Sequence, residues 1–126
     1  MARVSLVKTT DRAAGVQRAI ALLGINRVQG RQVLVKPNFN SADPCPGSTH
    51  TDTLRALLDA LRDMGARELA LGDRAGMGDT RQVMEQKGVY ELLATYDIAP
   101  VAFEALPEDA WTLFEAEGLH WQRGFP

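Results

Sequence analysis

The chain has 126 residues, 45% of them apolar and 24% charged, with a net charge of −2. That length suits one domain with its own core, and the mixed charge, without a Lys/Arg run, argues against nucleic acid as a partner. The apolar runs fall far short of a membrane span, and "MARVSLVKTTDR" lacks the apolar core and cleavage site of a secretory leader, so a cytoplasmic location is expected.

Arg3 to Lys8, "RVSLVK", alternates and is rich in β-branched residues, which predicts a strand. Thr10 or Asp11 then caps a helix with Val16, Ile20 and Leu23 on one face, closed by Gly24. Arg31 to Lys36, "RQVLVK", is the next strand, and its Val33-Leu34-Val35 run predicts burial on both faces, as in a parallel sheet. A long loop follows, rich in proline and polar residues. Leu54, Leu57, Leu58, Leu61 and Met64 stripe the second helix, which ends at Gly65.

"ELALG", Glu68 to Gly72, is the third predicted strand. "DRAGMGD" leads into a helix whose apolar face begins at Val83 and Met84 and which Gly88 breaks. Tyr90, Leu92, Leu93 and Tyr96 continue as a second helical piece, and "PVAFE", Pro100 to Glu104, is a fourth strand. Beyond it, Trp111, Leu113 and Glu115 alternate as in an edge strand, and residues 105–126 otherwise read as irregular.

Strand and helix thus alternate, which predicts one three-layer α/β domain over residues 1–126. Its sheet is expected to be mainly parallel and twisted, with about four to five strands and helices on both faces, in a Rossmann-like, doubly wound arrangement. The chain ends at Pro126 without a closing helix, so it is expected to be a truncated, amino-terminal part of a longer domain.

Ligands of open parallel sheets bind beyond the carboxyl ends of the strands. That rule puts Lys8 to Asp11, Lys36 to Asp52 and Gly72 to Thr80 on one rim. Pro37 restrains Lys36, which is placed to neutralise a phosphate or carboxylate, with Asn38 hydrogen-bonding beside it; alternatively Lys36 reaches solvent and Asn38 makes a turn. Thr49 and Asp52 have capping-box spacing, and the helix start that includes Thr51 is suited to an anion. His50 could ligate a metal, move a proton or face solvent. Asp73 ends a strand, a common place for a metal-binding or hydrogen-bonding carboxylate, while the loop after it could be a flexible connection capped by Asp79.

"GDRAGMGD" is neither a phosphate-binding P-loop nor a dinucleotide fingerprint. Cys45, the one cysteine, sits exposed in "DPCPG" with no base next to it in sequence, and it allows no internal disulfide. His50 and His120 are far apart. Trp111, Trp121, Phe103, Phe114 and Phe125 are expected in the core or at an interface rather than on a stacking platform.

"VLVKPNF", "STHTDTLRALLDALRDMGARELALGDRAGMG" and "KGVYELL" together resemble the amino-terminal half of the domain-of-unknown-function 362 family, over roughly Val4 to Phe103. The resemblance implies a largely uncharacterised protein, associated in some members with ferredoxin-type 4Fe–4S modules. It also implies a second region with a Lys-Thr-His-type segment and an Asn-Gly-type turn, both absent here. With one cysteine, this chain alone holds no iron–sulfur cluster.

The expected function is ligand binding at the rim, by a domain of a larger, redox-linked or iron–sulfur-associated enzyme. Lys8, Lys36, Asn38, Thr49, Thr51 and Asp73 would bind an anion, and His50 with Asp73 would hold a divalent metal. The expected partners are the missing carboxyl-terminal part or a ferredoxin-type module, and a second copy of the chain. Two alternatives are a non-catalytic interaction or assembly module, built on Trp111, Trp121 and Phe125, and, by fold-level analogy alone, a racemase-like metal-dependent enzyme domain.

Overall fold

A computed structural model describes residues 2–112. The order is α1 (Arg12–Leu23), β1 (Gln32–Val35), α2 (Thr51–Asp63), β2 (Glu68–Asp73), α3 (Thr80–Gln86), α4 (Val89–Ala94) and β3 (Pro100–Ala102), followed by two short 3₁₀ turns. The strands form an open sheet in the order β1-β2-β3, with both pairings parallel. Val35 lies opposite Leu71, and Asp73 opposite Ala102. The alternation of strand and helix thus yields the parallel α/β sheet that its order demands.

Among the described residues this sheet has three strands rather than four or five. The missing one is Arg3 to Lys8, which forms no strand. Val4 and Leu6 are 87% and 93% exposed. An alternating segment becomes a strand only if an edge accepts its backbone and a layer covers its apolar side; among the described residues it has neither. β1 also departs from expectation. Only Val35 is buried and Leu34 is 46% exposed, because β1 is an edge strand among the described residues and not a central one. The fourth predicted strand shortens to Pro100–Ala102, and Phe103–Ala105 turn as 3₁₀. Trp111 follows the second 3₁₀ turn and meets the Phe103 ring edge-on, 6.4 Å between centroids, while Leu113 and Glu115 lie outside the described residues.

The helices begin and end for local reasons. Asp11 caps α1 by accepting from Ala14 N–H (3.0 Å), and Gly24 closes it in the left-handed conformation that a side chain would strain. Asp79 caps α3 by accepting from Gln82 N–H. α2 is strongly amphipathic and buries Leu54, Leu58 and Leu61. These meet Val35, Leu71, Val83, Met84, Leu92, Leu93 and Tyr96 in one core. Each fully buried leucine there contributes roughly 2 kcal/mol relative to an exposed one. Among the described residues, no helix is long and apolar enough to cross a membrane.

α2 and the end of α4 are also joined by polar contacts. The Arg62 guanidinium donates to Tyr96 O (2.5 Å) and lies 4.6 Å from the centre of the Tyr96 ring. The Tyr96 hydroxyl donates to Asp59 (2.6 Å). Burial first, and then the neighbouring Asp59 carboxylate, push the Tyr96 phenol above its ordinary value.

Candidate functional site

Lys36 follows β1 and Asp73 ends β2, so the parallel register brings side chains 37 positions apart to the same rim. The Asp73 carboxylate is 1% exposed. One oxygen accepts from Lys36 Nζ and the other from Phe39 N–H, each at 2.7 Å. A buried carboxylate persists only when donors replace its lost water, and these two do so. Lys36 also donates to Pro37 O (3.3 Å), but half of its side chain stays open to solvent. Two of its three N–H donors are therefore engaged among the described residues, and the third can reach a ligand.

Asn38 and Thr49 close the loop between β1 and α2. Asn38 N–H donates to Thr49 Oγ1 (2.9 Å), and Thr49 N–H donates to Asn38 O (2.8 Å). Thr49 is thus committed to the loop, and the expected capping box with Asp52 does not form. His50 is the N-cap of α2 instead, its Nδ1 accepting from Asp52 N–H at 3.1 Å. An imidazole nitrogen that accepts there is unprotonated, leaving Nε2 as the atom able to donate outward. Thr51 is the first residue of α2, beside these groups.

The loop after Asp73 is fastened to the same unit. Met77 N–H donates to Asn40 O (2.9 Å), and Lys87 Nζ donates to Asp43 O (3.0 Å) while lying 5.9 Å from the centre of the Phe39 ring. Gly76 passes so close to the Asn40 carboxamide that a Cβ would overlap it, and a Cβ on Gly72 would overlap the Phe103 ring. These two glycines serve close approach.

The rim therefore brings together Lys36, Asn38, Thr49, His50, Thr51 and Asp73. Lys8 lines another cleft of about 510 Å³, with Leu6, Ala14, Gly15, Arg18 and Leu22 along α1. A second cleft, of about 400 Å³, lies between the starts of α1 and α2, with Asp11, Asp52, Arg55 and Asp59 on its walls. Cys45 is exposed in the β1–α2 loop. No group of three or more metal-ligating side chains occurs among the described residues. His120, Trp121 and Phe125 lie outside them.

Sequence reasoning missed Phe39, which is 0% exposed and anchors the loop in the core. The signal was available: one aromatic residue set in an otherwise polar stretch after an apolar strand. It placed Thr80 at the end of a rim segment without its tie: Thr80 is fully buried, and its Oγ1 accepts from Ala75 N–H (2.8 Å).

A family model described as Domain of unknown function (DUF362) matches residues 33–123, well over half of the chain and every residue of the rim, while Lys8 falls outside the match. No curated protein and no solved structure matches the chain. The chain belongs to this DUF362 family.

Proposed function

We propose that this chain is a ligand-binding α/β domain that takes an anionic group at the rim between Lys36, Asn38 and the start of α2. The observation that carries the reading is Lys36: a buried carboxylate orients its ammonium while half of the side chain stays open. Asp73 offsets much of the lysine's charge, so recognition rests on a directed hydrogen bond more than on bulk attraction. The N–H groups and Thr51 hydroxyl at the start of α2 add donors, and the Asn38 carboxamide adds another. An anion is favoured over a divalent metal here, because both Asp73 oxygens already accept hydrogen bonds and a metal would have to displace Lys36. His50 would then donate a hydrogen bond from Nε2 rather than form a ligand bond.

Within the family resemblance, we place the domain in a larger redox-linked or iron–sulfur-associated enzyme whose cluster ligands come from elsewhere, since Cys45 supplies one thiolate. Such an assembly would also supply the further strands that a doubly wound sheet needs. Amide chemical shifts recorded while the full chain is titrated with inorganic phosphate, and separately with Mg²⁺ and Zn²⁺, test the site. Phosphate should move Lys36, Asn38 and Thr49 to Thr51, and Lys36→Ala should weaken that response about tenfold. Phosphate that leaves the rim amides in place would sink the reading, and shifts with Zn²⁺ alone would favour the metal.

A second reading, an interaction module, is favoured by the exposed Val4, Leu6, Leu22 and Ile25. Sedimentation of the full chain and of its Leu6→Ser variant checks it. A monomer in both cases removes the version in which two copies associate.

A further inference from the structure

The rim is completed from a third element. The Glu104 carboxylate, just past β3, accepts from Thr80 N–H at 3.2 Å. Thr80 is 0% exposed, and its hydroxyl accepts from Ala75 N–H at 2.8 Å. Ala75 itself is buried two residues after Asp73. Glu104 thus reaches the Asp73 loop through one buried side chain and two hydrogen bonds. Gly72 lies against the ring of Phe103, the neighbour of Glu104, so the two strand ends are in direct contact.

We propose that Glu104 is a positioning residue for the rim site: it fixes Thr80, Thr80 fixes the turn at Ala75, and that turn sets the Asp73 carboxylate that orients Lys36. The inference rests on the anion-site reading above and extends it to a residue outside the predicted rim. Local geometry supports it. Thr80 starts α3, where backbone N–H groups lack helical partners, so a fixed acceptor there decides where the preceding turn ends. A loop with glycines at 76 and 78 has little stiffness of its own and depends on such ties. Burial alone would raise the Glu104 carboxyl, but its hydrogen bonds with Thr80 and with its own backbone prevail and lower it, as expected for a charged acceptor in use.

The test compares three variants of the full chain by phosphate titration, read from the Lys36 and Asn38 amides, alongside their thermal midpoints. Glu104→Gln keeps an acceptor oxygen at the same reach, and its phosphate affinity should stay within about twofold of the parent. Glu104→Asp keeps the charge but shortens the reach, and Glu104→Ala removes the acceptor; both should bind phosphate about fivefold more weakly. Should Glu104→Ala fail to fold, the Gln and Asp pair still decides. Glu104→Asp binding like the parent, whatever its midpoint, overturns the proposal, as does Glu104→Gln binding as weakly as Glu104→Asp. A parent that gives no phosphate response overturns the site reading together with the inference; a parent response unchanged in Glu104→Asp overturns the inference alone.

Discussion

Phe39 and Leu6 are both large apolar residues in segments without regular secondary structure, yet Phe39 is 0% exposed and Leu6 is 93% exposed. The difference is in what holds each backbone. The Phe39 N–H donates to a buried carboxylate, Pro37 two residues before it is buried, and the Lys87 ammonium lies 5.9 Å from the centre of its ring. The Leu6 segment is tied at its two ends, by Arg3 donating to Leu23 O (2.6 Å) and by Thr9 bonding at Asp11, while α1 beneath it buries only Gly15. An irregular loop can thus belong to the core when polar anchors place it there. A β-patterned segment can lie outside the core when no edge receives it.

The largest effect that would sharpen this contrast is Phe39→Ala. Removing a fully buried ring from a tied loop should destabilise the chain by about 4 kcal/mol, read from urea unfolding. A loss below about 1 kcal/mol would mean that the loop is not part of the core. Asp73→Ala comes next. It leaves the Phe39 N–H buried without an acceptor, while Lys36 regains water because it is half open, so the expected loss is about 2 kcal/mol. Gly72→Ala should cost a similar or slightly smaller amount, about 1–2 kcal/mol, since the packed Phe103 ring has little room to move. Gly76→Ala tests the same idea at a softer contact, because the Asn40 carboxamide is exposed and can swing away.

A smaller effect appears with pH. Burial favours the neutral Glu104 carboxyl, but hydrogen bonds with Thr80 and its own backbone outweigh that and lower the folded value. As pH falls, the unfolded chain therefore takes up this proton first. The contribution to stability is present above the ordinary carboxylate value and is lost as pH falls from there through the lowered one. Unfolding midpoints measured down that range should lose part of their slope in Glu104→Gln; an identical slope would show that the carboxylate contributes nothing there.

Much of the tied region was legible in the sequence, and the reasons are local. The α2 stripe is spaced at the helical period, and Asp11 and Asp79 stand directly before apolar helical faces, so local chemistry alone identifies them. The parallel order follows from strand and helix alternating. Other features depend on partners that sequence does not display. Lys36 and Asp73 are far apart along the chain and meet only because Val35 pairs with Leu71. His50 displaces Thr49 as the cap because Thr49 is already bonded to Asn38 across the loop. The Arg3–Lys8 pattern reports alternation, and alternation says nothing about whether a neighbouring edge exists.

The smallest expected effect probes the other side of the comparison. Leu6→Ser replaces an apolar side chain that already lies almost wholly in water, so almost no burial is lost. The unfolding free energy of the chain should stay within about 0.5 kcal/mol of the parent. The companion Val4→Ser, 87% exposed at the start, should behave alike, and the two together should add without coupling. A loss above about 1.5 kcal/mol from Leu6→Ser would break the contrast, because a buried leucine is worth that much and an exposed one is not. Such a result would mean that in solution the segment finds the covering layer its alternation calls for. The outer edge of β1, unpaired among the described residues and with Leu34 46% exposed, would then be the first place to look for it.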